Sequence, residues 1–269
     1  MILYYKVPQT PSPTAVRTDG HRPASGRPAA RLDGVSMTFP NGTTALEDVS
    51  LEVAQGEFVS LLGPSGCGKS TILRLLAGFE APTAGTVQAV ATAPGYVFQE
   101  PTLLPWRTAL ANVVLPARLR GASRSQARAS AHDALERVGL SDFAGHRPSQ
   151  LSGGMKMRVA IARAMTMTPE LFLFDEPFGA LDEITRSRLN EELAALFVAE
   201  QFAGIFVTHS VAESIFMSTR VLVMAPRPGR IVADIEVPFG YPRAPELRYR
   251  PEFAELAAEV SATLRAASE

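Results

Sequence analysis

Gly63-Pro64-Ser65-Gly66-Cys67-Gly68-Lys69-Ser70-Thr71 decides the fold, because residues 63–70 match the phosphate-binding pattern G-x-x-x-x-G-K-[ST]. That pattern works only after a buried strand and before a helix. Both flanks comply: Phe58, Val59, Leu61 and Leu62 lead in, and Ile72, Leu73, Leu75 and Leu76 follow at helical spacing. A glycine-rich turn that merely happened to carry a lysine would lack both flanks. Gly63, Gly66 and Gly68 let the backbone turn tightly, so that successive N–H groups converge on phosphate oxygens at the positive end of a helix dipole. Lys69 then reaches the terminal phosphates, and Ser70 places its hydroxyl on Mg²⁺.

Around this loop lies a globular chain of 269 residues, enough for one large or two small domains, with 46% apolar residues to fill a core. The formal net charge of −1 offers no global basic field for nucleic acid or anionic lipid. No apolar run approaches the roughly 20 residues that span a bilayer. The single cysteine, Cys67, cannot form an internal disulfide and reads as a small loop-filling residue rather than a redox sensor. Residues 1–30 carry Pro8, Pro11, Pro13, Pro23 and Pro28 with little apolar periodicity, and read as a disordered extension without the apolar core of a secretory signal.

Alternation across residues 31–53 predicts antiparallel strands joined by a turn at Pro40, Asn41 and Gly42. Phe39, just before that turn, either stacks on a purine base or packs in the core. The strand at 57–62 delivers the chain into the phosphate loop, and the helix beyond it stops near Ala77 and Gly78. Pro82, Gly85 and Thr86 read as a turn, followed by a strand over 95–98 that ends at Gln99. Residues 101–148 then become helical, rich in Ala, Arg and Leu and interrupted by Pro116 and Gly121, as an insertion into the sheet would be. Ser152, Gly153 and Gly154 precede a helix over 155–165 and form a second potential anion site, although such turns commonly just start helices.

Leu171, Phe172, Leu173 and Phe174 form a continuous apolar run, as expected of a parallel strand buried on both faces, and it ends in Asp175 and Glu176. Carboxylates at the end of a buried strand are costly unless a cation or water offsets their desolvation. Beside a phosphate loop, Asp175 is expected to hold Mg²⁺ and Glu176 to polarise the attacking water. A turn at Gly179, Ala180, Leu181 and Asp182 precedes an amphipathic helix over 186–199. The strand at 204–208 ends at His209, on the sheet edge where open parallel sheets place ligands. Strands at 220–225 and 230–235 flank a turn at 226–229. In a terminal helix, Phe253, Leu256, Val260 and Leu264 share a face expected to pack on the chain's own domain.

In this order the motifs resemble the ATP-binding subunit of an ABC transporter, and the resemblance runs from about Arg31 to the C-terminus. Phe39 matches the aromatic loop, residues 63–71 the phosphate loop, and Gln99 the glutamine that senses Mg²⁺ and the permease. Leu151-Ser152-Gly153-Gly154-Met155 matches the family signature, residues 171–176 the second nucleotide motif, Ala180-Leu181-Asp182 the loop after it, and His209 the switch histidine. Met155 and Phe39 stand where many members have Gln and Tyr; the signature serine and glycines remain, and Phe still offers a stacking face. The expected fold is α/β: a P-loop NTPase core with a mostly parallel sheet, an N-terminal antiparallel β-subdomain and an inserted α-helical subdomain. The ATP-binding domain would span 31–240, its helical part about 101–160, with 241–269 a helical tail packed on it.

The resemblance implies a head-to-tail homodimer with ATP between residues 63–71 of one copy and Ser152, Gly153, Gly154 and Met155 of the other. It assigns Mg²⁺ to Ser70, Gln99 and Asp175, catalysis to Glu176 and His209, and nucleotide contact to Phe39 and Asp182. It further implies two transmembrane permease subunits, a periplasmic or extracellular solute-binding protein, and a place on the cytoplasmic face of the plasma membrane. The stretches 98–106, 178–183 and Arg227-Pro228-Gly229-Arg230-Ile231 are similar to the branch serving nitrate, taurine, alkanesulfonate and pyrimidine-precursor importers. A helical segment around Leu103, Leu104 and Trp106 is expected to face the membrane partner, with burial of Trp106 in the domain as the alternative. A soluble ABC-type ATPase acting on DNA or ribosomes would bring a coiled-coil insertion, a second nucleotide domain or a basic patch, none of which is visible. A P-loop kinase would lack the signature at 151–155.

Overall fold

A computed structural model of the protein describes residues 28–89 and 93–267. The disordered extension expected over 1–30 lies outside the described residues, except for 28–30. There the expectation is corrected: Ala29 is fully buried, and its N–H donates to Val53 O at 2.8 Å.

Two sheets organise the chain. The smaller has the order β2-β1-β4 and is antiparallel throughout, from β1 (Ala30–Thr38), β2 (Thr44–Val53) and β4 (Ala84–Ala89). The turn expected at Gly85 and Thr86 is therefore a strand, with Thr86 registered against Asp33. Gly85 is there because the strands crowd: its φ is +81°, and a Cβ would lie 2.4 Å from Gly34 O. The larger sheet has the order β5-β6-β7-β3-β8-β9. Its members are β3 (Phe58–Leu62), β5 (Gly95–Val97), β6 (Leu171–Asp175), β7 (Ala203–Thr208), β8 (Arg220–Ala225) and β9 (Arg230–Glu236). All neighbours are parallel except β8 and β9, which form a hairpin.

Parallel central strands covered on both faces need apolar runs, and β3, β6 and β7 supply them. One face is aromatic: Phe58, Phe174 and Phe206 project from adjacent strands with ring centroids 5.9 and 6.1 Å from Phe58. Phe172, Phe178, Phe197, Phe202, Phe216 and Phe253 join that cluster. The opposite face buries Val59, Leu61, Leu173 and Ile205 against α1 (Lys69–Leu76) and the small sheet. At about 25 cal/mol per Å² of apolar area, each fully buried phenylalanine contributes roughly 2–3 kcal/mol, so the aromatic face anchors the molecule.

Between β5 and β6 lie α2 (Ala109–Leu119), α3 (Arg124–Arg137) and α4 (Gly153–Met165), with a separate cluster built largely from alanines and leucines. Pro116 does not interrupt α2, which runs on for one more turn-length to Leu119. The break comes at Gly121, whose φ of +89° and N–H bond to Arg118 O close the helix. Residues 101–108 are irregular rather than helical: Pro101 and Pro105 lack N–H donors and Thr102 has φ 46°. Trp106 is 69% exposed, which removes the reading that buries it.

After β6 come α5 (Glu183–Glu200), α6 (Val211–Met217) and, following β9, α7 (Pro251–Ala266). α5 starts three residues earlier than periodicity suggested, because Asp182 caps it by accepting from Thr185 N at 2.9 Å. On α7, Phe253, Leu256 and Val260 are buried, and Leu264 packs partly buried on the aromatic cluster. Among the described residues no helix is long and apolar enough to cross a membrane.

Candidate active site

β6, β7 and β3 are consecutive in the sheet, so their C-terminal ends bring Asp175 and Glu176, His209 and the phosphate loop to one edge. The loop leaves β3 at Gly63 and enters α1 through Gly68, whose φ is +96°. A Cβ on Gly68 would stand 2.5 Å from Leu46 Cδ2 and 2.9 Å from Ala45 O, so the start of β2 is pressed against the loop's inner side. Phe39 follows β1 and opens the turn that leads into that strand. It is half-buried against the same core, and its N–H donates to Thr43 O at 2.9 Å.

Lys69 is 4% exposed, and its Nζ donates to Gly63 O at 2.8 Å and Pro64 O at 3.0 Å, drawing the loop into a ring. The same ammonium is 3.9 Å from Glu176 Oε1. Glu176 carries φ 45°, a conformation uncommon for a residue with a Cβ, and its N–H is held by Val207 O at 3.1 Å. Its Oε2 lies 3.4 Å from His209 Nδ1, so one carboxylate bridges the lysine of the phosphate loop and the histidine at the end of β7. Gln99 Nε2 and Glu176 Oε2 both lie 3.7 Å from the position a Cβ on Gly179 would take, which places Gln99 on the same edge as the carboxylate. Ser70 Oγ donates to Asp175 Oδ1 at 2.8 Å. Cys67 is fully buried, and burial pushes its thiol up from the ordinary value while Lys69 pulls it partly back.

Ser152, Gly153, Gly154 and Met155 form a second group. Ser152 is exposed and caps α4, accepting from Met155 N at 3.2 Å. Gly153 is exposed, and Gly154 is buried because a Cβ there would meet Thr185 Cγ2 at 3.1 Å on α5. The N–H groups of both glycines belong to the first helical turn, where no intrahelical acceptor is available. A Cβ on Gly153 would lie 3.0 Å from Leu181 Cδ2, so this group rests on the loop that carries Asp182. Asp182 is exposed, and its hydrogen bonds with Thr185 hold its carboxyl below the usual range. The two groups are joined through residues 176–182, anchored by Phe178, which is 1% exposed.

Tyr96 and Gly229 were not legible as site residues. Tyr96 donates its hydroxyl to Asp175 Oδ2 at 3.1 Å. Burial pushes its phenol well above the ordinary value and the Asp175 charge adds to the shift. In the sequence it looks like a strand aromatic. Gly229, in the β8–β9 turn, donates its N–H to Ala45 O at 3.0 Å; a Cβ on it would stand 2.0 Å from Cys67 O. The turn therefore lies directly against the phosphate loop.

A phosphate loop, a strand-end acidic pair and a histidine on one edge of a parallel sheet define a nucleotide-hydrolysing P-loop protein, and the helical insertion with its serine-glycine helix start narrows the class to the ATP-binding cassettes. Known proteins agree. The ABC transporter family matches residues 46–179. A putative ATP-binding protein of Brucella abortus is 42% identical over 237 residues, covering 86% of this chain and 91% of the relative. The taurine import ATP-binding protein TauB of Rhizobium johnstonii is 42% identical over 234 residues, covering 82% and 88%. Among solved structures, the dimeric post-hydrolysis state of the ATP-binding cassette MJ0796, bound to ADP and Pi, superposes with a TM-score of 0.68 at 34% identity, covering 78% of this chain and 100% of that one. The chain belongs to the ABC transporter family, as an ATP-binding, ATP-hydrolysing subunit.

Proposed function

We propose that the protein drives import of a small organic or inorganic anion of the taurine, sulfonate or nitrate type, as a homodimer on the cytoplasmic face of the plasma membrane. Two permease subunits would form the path, and a periplasmic or extracellular solute-binding protein would deliver the solute. The names of the TauB relatives support the substrate class and the direction of transport. The dimer draws support from the two separate groups on each chain. Lys69 and Glu176 sit together, whereas Ser152 and Gly153 present an exposed helix start elsewhere, so one copy's signature is free to close on the other copy's nucleotide. Exposed Trp106 beside the half-buried Leu103 and Leu104 suits contact with the permease.

Within this reading the backbone of residues 63–71 holds the phosphates, Lys69 turns from its loop carbonyls to the terminal phosphates, and Phe39 stacks on adenine. Ser70 Oγ and Asp175 Oδ1 are hard oxygen donors 2.8 Å apart with Gln99 on the same edge, a set that suits Mg²⁺ once phosphate and water oxygens complete the shell. Held by Ser70, Asp175 and Gln99, such a cation would supply positive charge to neutralise what develops on the terminal phosphate. Glu176 orients the attacking water, and His209, within 3.4 Å of that carboxylate, keeps it aimed and meets the terminal phosphate. Hydrolysis then removes the phosphate that bridges the copies, and the pair reopens.

The observation that carries the reading is Glu176, strained at φ 45° and held between Lys69 and His209. In Glu176→Gln the ATPase rate should fall by about 10²-fold or more, with ATP affinity nearly unchanged. ATP should then trap that variant as a dimer in size-exclusion chromatography, and Ser152→Arg should abolish the trapping. Wild-type turnover in Glu176→Gln would refute the assignment of the water-orienting residue.

A further inference from the structure

Each carboxylate oxygen of Asp175 is taken by a different side chain: Oδ1 by Ser70 at 2.8 Å and Oδ2 by the Tyr96 hydroxyl at 3.1 Å. The donors come from different elements. Ser70 lies in the first turn of α1, while Tyr96 lies on β5, registered against Leu173 two residues before Asp175. The phenol thus extends along the sheet to the end of the neighbouring strand. Its ring is fixed between Phe79 and Phe98, with centroids 5.5 and 4.3 Å away. Those contacts tie the end of α1 to the segment that carries Gln99, and Tyr96 is their common member.

The terminal torsion of an aspartate is soft and nearly two-fold, so a carboxylate with no protein donor on either oxygen can turn. If the Ser70 hydroxyl leaves Oδ1 for a cation, Tyr96 is the side-chain donor that remains on Asp175 among the described residues. We propose that Tyr96 is a positioning residue for the divalent-cation site: its hydroxyl locks the Asp175 carboxylate so that Oδ1 stays aimed at Ser70 and the phosphate loop. This rests on the reading in which Asp175 holds the cation. Partners behind a metal-holding side chain commonly matter to affinity by 10- to 100-fold.

The test is Tyr96→Phe, which keeps the ring between Phe79 and Phe98 and deletes one hydroxyl. Mn²⁺ binding to the protein–ADP complex, followed by electron paramagnetic resonance, should weaken by roughly tenfold. ADP affinity in EDTA and the melting temperature should stay at wild-type values. The Mg²⁺ concentration for half-maximal ATPase should rise in parallel, with excess Mg²⁺ recovering most of the rate. Asp175→Asn serves as the reference. If it loses Mn²⁺ affinity while Tyr96→Phe retains it, the positioning role is overturned and the cation assignment stands. If neither loses affinity, both fall. A Tyr96→Phe protein that loses metal-free ADP affinity and thermal stability together would show the hydroxyl to be structural, which also overturns the proposal.

Discussion

One methyl group at Gly229 would be enough to disturb the phosphate loop. An added Cβ would stand 2.0 Å from Cys67 O and 2.9 Å from Ala45 O, both backbone atoms that cannot rotate aside. Gly229→Ala is expected to cost at least the roughly 1–3 kcal/mol typical of overpacking and to weaken ATP binding through the displaced loop. Thermal melting with ATP titration checks it, and a wild-type affinity would show that the turn does not brace the loop. Residues 227–231 read in the sequence as a hairpin turn and a family-branch texture; what makes the glycine necessary is a contact between segments more than 150 positions apart, which no local pattern records. Cys67 makes a second case. A thiol pushed up by burial stays protonated near neutral pH, and the thiolate is the nucleophile. Native protein at about pH 8 should label slowly with maleimide, faster as pH rises, and at the ordinary cysteine rate once unfolded. Rapid labelling of the native state would contradict the buried loop interior.

At the scale of elements, residues 101–108 hold their shape through two side chains. Asn112, fully buried, accepts from Leu104 N at 2.7 Å and donates to Leu104 O and Thr108 O at 3.2 and 3.0 Å. Arg163 on α4 donates to Pro101 O at 3.0 Å and Thr102 O at 2.8 Å. Asn112→Ala leaves the Leu104 amide without its partner, a loss of about 1–3 kcal/mol, and should speed tryptic cleavage after Arg107 while ATP affinity is kept. An unchanged cleavage rate would place the restraint elsewhere. This is also where legibility ran out. Every strand but β4, and the helices capped by Ser152 and Asp182, follow from apolar runs and capping residues, so their places could be read with errors of a few residues, whereas β4 has no apolar run and reads as a turn. The 101–108 segment has helix-like apolar content but takes its form from Asn112 and Arg163, neither of which announces a loop partner in the sequence. Asp175, Glu176 and His209 were readable because each ends a buried run beside a known loop, whereas Tyr96 and Gly229 act across strands.

The whole molecule distributes its apolar burial unevenly. The sheet's aromatic face buries Phe58, Phe174, Phe178, Phe206 and Phe216 at 1% exposure or less, at roughly 2–3 kcal/mol each, and every central strand contributes. Helices α2 and α3 bury mostly alanines, Ala109, Ala117, Ala127, Ala131 and Ala134, each offering about one methyl group of apolar area, with Val113 and Leu135 as their larger buried apolar side chains. α2 and α3 should therefore open as a unit at lower free energy than the sheet, since sub-global openings follow the density of buried apolar contact. The insertion can then move on the core without unfolding it, and α4, which packs on both clusters, is the element about which it would move. Native-state hydrogen exchange read by mass spectrometry should show amides of α2 and α3 exchanging well before those of β3, β6 and β7. Added ATP should protect residues 63–71 most strongly, because in the proposed binding mode their N–H groups face the phosphates. Exchange of α2 and α3 at the same free energy as β6 would mean that the insertion and the sheet form one cooperative unit, and the division drawn from their packing would be wrong.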